Sequence, residues 1–65
     1  MSTSTYTVTG MTCEHCVASV TEEVGELPGV TDVSVELASG RLTVTGEAAP
    51  DDVRAAVEEA GYQLA

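Results

Sequence analysis

Cys13, His15 and Cys16 carry all the soft-ligand chemistry of this 65-residue chain, which has no other cysteine or histidine. The Cys-x-x-Cys spacing puts both sulfurs within one turn if the segment is helical, close enough to hold a single ion. The thiolate is the form that binds a metal, and the positive end of a helix lowers a thiol's pKa. The chain has no lysine to assist, and Glu14 lies between the cysteines and opposes ionisation slightly. A helix start must therefore do most of the activation.

Which metal such a pair would take follows from the number of donors. Structural zinc wants four ligands, and iron–sulfur clusters need a similar set of cysteines. Two soft thiolates favour Cu(I), which accepts a near-linear pair of sulfurs and stays open to attack by a third thiol. Mercury, silver and cadmium share the preference for thiolates. A dithiol oxidoreductase is the alternative from another class, because redox enzymes use the same spacing. Those folds need a longer chain, and here Glu14-His15 stands between the cysteines, with no aromatic residue or proline.

The elements that must position the pair can be read from either side of it. Thr5–Thr9 alternates threonine with Tyr6 and Val8 as a half-buried strand does, and Gly10 allows a bend. Met11 then reads as an anchor packed under the loop. Thr12 reads as the N-cap of a helix running to about Leu27, its stripe made by Cys16, Val17, Val20, Val24 and Leu27. Leu27-Pro28-Gly29 ends that helix. Val30–Leu37 and Arg41–Thr45 alternate around Ala38-Ser39-Gly40 as a hairpin, with Val33, Val35, Leu37, Leu42 and Val44 on one face. Pro50 suits the first position of a second helix, Asp51 and Asp52 its first turn, and Gly61 the residue just past its end. Val53, Ala56, Val57 and Ala60 make its apolar stripe. Tyr62–Leu64 is long enough only for a short last strand. The order strand-helix-strand, twice, places both helices on one face of a four-stranded antiparallel sheet.

Composition sets the outer bounds. A chain of 65 residues builds one domain, 1–65, whose core rarely supplies more than about 3–5 kcal/mol of net stability unaided. It leaves no room for an enclosed organic cofactor. Eleven acids against two arginines give a formal charge of −9, which argues against nucleic acid and anionic membrane and for a partner with a basic patch. The first residues have neither a charged nor an apolar stretch, and no run reaches the roughly 18 apolar residues of a membrane span. The expected compartment is the cytoplasm, where thiols stay reduced.

Gly10-Met11-Thr12-Cys13-Glu14-His15-Cys16, followed by Val17-Ala18-Ser19-Val20, resembles the GMTCxxC signature of the heavy-metal-associated domain. It is similar in particular to the small bacterial copper chaperones of the CopZ type. Leu27-Pro28-Gly29-Val30 and Gly61-Tyr62 fall where that family places its helix end and its last loop. The resemblance implies a ferredoxin-like βαββαβ fold (class α+β) and Cu(I) bound by Cys13 and Cys16, with no catalysis. It also implies delivery to the metal-binding domain of a copper-transporting P-type ATPase, with a copper-responsive repressor as a second recipient. The metal-free protein is expected to be a monomer, and a copper-bridged dimer is the alternative for the loaded form. A detached metal-binding domain of such an ATPase would look the same, although Met1 just before strand one points to an independent protein.

Within the signature, Cys13 is expected to be the more exposed thiol and Cys16 to lie partly buried on the helix stripe. His15 in a helical first turn points away from the gap between the sulfurs. Its options are a solvated side chain or a ligand when two molecules share copper. Tyr62 matches the loop residue that bacterial family members place beside the site. Tyr6 reads as core or sheet edge.

Overall fold

A computed structural model describes residues 2–65; Met1, where the domain reading begins, lies outside them. The elements in order are β1 (Thr3–Thr9), α1 (Glu14–Gly25), β2 (Val30–Glu36), β3 (Arg41–Gly46), α2 (Pro50–Glu59) and β4 (Gln63–Leu64). All strand pairs are antiparallel and the sheet order is β2-β3-β1-β4. This is the ferredoxin-like βαββαβ arrangement anticipated from the sequence.

Alternation decides which face is buried. Val8 on β1 and Leu42 and Val44 on β3 join Val20, Val24, Val53, Ala56 and Val57 of the helices in one core. Thr3, Thr5, Thr7 and Thr9 on the other face of β1 are exposed. Leu42, Val20, Val24, Val53 and Val57 are fully buried, and each such side chain contributes roughly 1.5–3 kcal/mol. No polar side chain is buried among the described residues. Tyr6 is half-buried against this core, on β1 beyond the two residues that pair with β4.

Four local expectations are corrected. β1 begins at Thr3 because its pairing with β3 continues to Thr3↔Thr45. α1 ends at Gly25, since the Leu27 N–H reaches the Val24 carbonyl and the chain tightens before Pro28. Thr12 is not the N-cap: Cys13 is, with φ −157° and ψ 173° and no side-chain capping bond. Leu37 falls outside β2 and is 37% exposed. The Gly40 N–H donating to the Glu36 carbonyl (2.9 Å) closes the turn there and stops the alternation.

The register between Val30↔Gly46 and Asp32↔Thr45 shifts by one residue, a bulge that lets Val30 and Val33 share the inner face. Because β1 and β2 are each antiparallel to β3, their C-terminal ends lie at the same pole. The Val8 N–H donates to the Gly40 carbonyl (2.7 Å), so the hairpin turn abuts the end of β1. That pole carries the thiols.

Candidate metal centre

Three chain segments build the centre: the loop after β1, the first turn of α1 and the connection from α2 to β4. Gly10 turns the chain out of β1 with φ +92°, a conformation that disfavours a side chain. Met11 packs half-buried against the core, as expected of an anchor. Cys13 then caps α1 through its main chain, its carbonyl accepting from the N–H groups of Cys16 (3.1 Å) and Val17 (3.3 Å). This first turn brings the Cys13 and Cys16 sulfurs to 3.5 Å from each other. Both thiols are free, Cys13 exposed and Cys16 half-buried, in the order expected from the helix stripe.

Cys16 is acidified to about 6 from an ordinary 9.0. The main cause is hydrogen bonding from the backbone at Thr12, then from the Tyr62 hydroxyl and from the Cys13 thiol, while partial burial opposes it. The Thr12 hydroxyl also lies 3.9 Å from the Cys16 sulfur. Thr12 thus contributes to the thiolate rather than to the helix cap. That role was hidden in the sequence, where threonine before a helical stripe signals a cap; its place directly before Cys-x-x-Cys is the one signal that could have revealed it.

Tyr62 arrives from the opposite end of the chain, and the way α2 ends puts it there. Ala60 is the C-cap, and Gly61 follows with φ +98°. The Gly61 N–H donates to the Glu58 carbonyl (2.9 Å) and the Tyr62 N–H to the Val57 carbonyl (3.1 Å). These are the two bonds of a Schellman motif. The Thr9 hydroxyl donates to the Gln63 carbonyl (3.2 Å), joining this connection to the end of β1. A Cβ on Gly10 would stand 3.5 Å from the Tyr62 ring, so the ring lies directly over the loop. Hydrogen bonding to the Cys16 sulfur pushes the Tyr62 phenol above its usual value, the reciprocal of the thiol's shift.

His15 is exposed on α1 and lines a shallow open depression with Glu14 and Ala18. Among the described residues no group of three or more His, Cys, Asp or Glu side chains converges to hold a metal. The arrangement offers two sulfurs, one of them a ready thiolate near neutral pH, under a phenol. No helix of the described residues is long and apolar enough to cross a membrane.

The heavy-metal-associated domain family matches residues 5–63. The copper chaperone CopZ of Bacillus subtilis (strain 168) is 41% identical over 68 residues, spanning 100% of this chain and 99% of the relative. Copper-transporting ATPase 2 of Homo sapiens is 38% identical over 65 residues, which is 95% of this chain but 4% of the ATPase. Among solved structures, a CopZ metallochaperone superposes with a TM-score of 0.94 at 30% identity, over 98% of this chain and 100% of that one. A signature at the helix start, a fold that presents it at one pole and a match along nearly the whole chain agree: the chain belongs to the heavy-metal-associated domain family.

Proposed function

We propose that this protein, one domain over residues 1–65, is a cytoplasmic carrier of Cu(I) and not an enzyme. The observation that carries the reading is the pair of sulfurs 3.5 Å apart with no His, Asp or Glu side chain gathered beside them among the described residues. A small rotation of either side chain lets both grip one ion. Two thiolates suit a monovalent soft ion and leave it open to further ligands. The copper named in the relatives' descriptions supports the same choice.

Release then proceeds by ligand exchange without change of oxidation state. An incoming thiolate adds to the two-coordinate ion, and Cys13, the more exposed ligand, leaves first. Cys16 is held longer by the Thr12 backbone and Tyr62. The recipient in this reading is a metal-binding domain of a copper-transporting P-type ATPase, with a copper-responsive repressor as a second candidate. A recipient with a basic face would be steered toward a carrier of formal charge −9.

Titration of the reduced chain with Cu(I) under anaerobic conditions, against a competing chelator, tests this. Retention of one equivalent, with no reduction of insulin disulfides, is the expected result. Failure to retain copper by a dithiol that instead cycles through oxidation would establish the oxidoreductase reading.

A further inference from the structure

Thr9 stands where β1 meets the connection that carries Tyr62. Thr3, Thr5, Thr7 and Thr9 share the exposed face of β1, where a threonine needs no reason beyond its fit to a strand. Among the described residues Thr9 is the one of these four whose side chain makes a hydrogen bond: its hydroxyl donates to the Gln63 carbonyl (3.2 Å). Thr9↔Gln63 is also the last pair of the β1–β4 ladder on the side of the metal centre. Past it the two segments part, one into Gly10 at φ +92° and the other into Tyr62 and Gly61.

Tyr62 is thus tethered from both directions along the chain. On the α2 side its own N–H and that of Gly61 donate to the carbonyls of Val57 and Glu58, bonds between main-chain groups that do not depend on the side chains there. On the β4 side the tether, at Gln63, includes a side chain, that of Thr9. The Tyr62 ring lies over Gly10, the neighbour of Thr9 in sequence, where an added Cβ would stand 3.5 Å from it. A hydrogen bond is sensitive to distance and angle. The reach of the phenol to the Cys16 sulfur therefore depends on how firmly this corner is held.

We infer that Thr9 is a positioning residue of the metal centre: its hydroxyl, acting through Gln63, keeps the Tyr62 phenol over Cys16. The consequence for copper rests on the carrier reading above; the consequence for the ring does not. Thr9 acts at a distance from the sulfurs, since its one side-chain bond goes to Gln63. Valine at this place keeps the branched shape and the fit to a strand and removes the donor. Serine keeps the donor and removes a methyl group. Thr7, on the same face of the same strand and without such a bond, is the matching control.

The test has two readouts on the full, reduced chain. In the metal-free protein, NMR cross-relaxation between the Tyr62 ring and the Gly10 α-protons reports where the ring sits. It should weaken in Thr9→Val and stay unchanged in Thr9→Ser and Thr7→Val. Retention of Cu(I) against a chelator, under anaerobic conditions, should fall roughly threefold in Thr9→Val and not at all in the other two. In a Tyr62→Phe background, Thr9→Val should cost nothing more. Ring contacts in Thr9→Val equal to those of the unaltered protein overturn the inference. So does a loss in Thr9→Ser as large as in Thr9→Val, which would assign the effect to the methyl group. An undiminished cost of Thr9→Val in the Tyr62→Phe background overturns it equally, because the effect would then bypass the phenol. The ring contacts are read without copper, so this inference and the carrier reading fail by different results.

Discussion

The two helices of this domain begin in opposite ways. α2 starts with Pro50, which lacks an N–H to satisfy, and places Asp51 and Asp52 against the positive end of its dipole. α1 starts with Cys13 and has Glu14 as its one first-turn acid. Neither helix has a side-chain capping bond. At α2 the first-turn aspartates complement the positive helix end; at α1 the backbone at Thr12 and Cys13, just ahead of the helix, bonds to the Cys16 sulfur. The lesson is that an under-capped helix start is a resource. Both starts lack a side-chain cap, and the difference is what stands there instead: two aspartates in the first turn of α2, two thiols at α1.

The comparison breaks most readily at the sulfurs. Cys13→Ser or Cys16→Ser should weaken Cu(I) retention against a chelator by more than the 10- to 100-fold typical of a residue that only supports a ligand. Far-ultraviolet circular dichroism should be unchanged, because neither Cys13 nor Cys16 belongs to the core cluster. Retention equal to that of the unaltered protein would detach the helix start from metal binding.

Tyr62→Phe sharpens it. Removing the hydroxyl should lower copper affinity by roughly tenfold and raise the Cys16 pKa above about 6, read from the pH dependence of alkylation in a Cys13→Ser background. The sign for folding follows. A thiol at about 6 in the folded state and 9.0 when unfolded stabilises the fold fully above pH 9. That contribution declines as pH falls from 9 toward 6 and is absent below. Urea midpoints should climb across this window in the reduced protein and climb less in Tyr62→Phe.

Gly61→Ala tests the far end of α2. A Cβ there meets nothing within 4 Å, so the cost is that of the φ +98° backbone alone. A loss of about 1–2 kcal/mol in urea denaturation is expected, with a smaller drop in copper affinity as Tyr62 loosens. A copper effect larger than that of Tyr62→Phe would mean that the loop acts through something other than the phenol. Smallest of all, Ala49→Ser supplies the missing cap of α2 and should add about 0.5–1 kcal/mol without touching copper binding.

Much of the fold was legible because its signals are local. Alternating Val8, Leu42 and Val44, the stripes Val20–Val24 and Val53–Val57, and Pro50 and Gly61 at the ends of α2 each follow from the period of one element. The errors also have local causes. Leu37 continues the alternation of β2 in sequence but sits past the bond that closes the turn. Thr12 has the chemistry of a cap, yet the helix starts one residue later. The bulge opposite Gly46 shows in β2 only as Val30 falling out of phase with Val33 and Val35, and its cause lies between two strands.

By itself the sequence determined that two thiols share a turn at the start of a helix, that they are the only ones, and that a small valine-rich core supports them. Spacing and composition suffice for this, since helical period and ligand count are properties of neighbouring residues. Spacing alone could not bring Tyr62, 46 positions from Cys16 in the numbering, to the sulfur; the family resemblance implied it, and the tertiary structure puts its hydroxyl there. The tertiary structure also decided that Thr12 serves the thiolate. Those outcomes depend on how α2 ends against β1 and on how the loop after β1 meets α1, which are relations between elements and not within one.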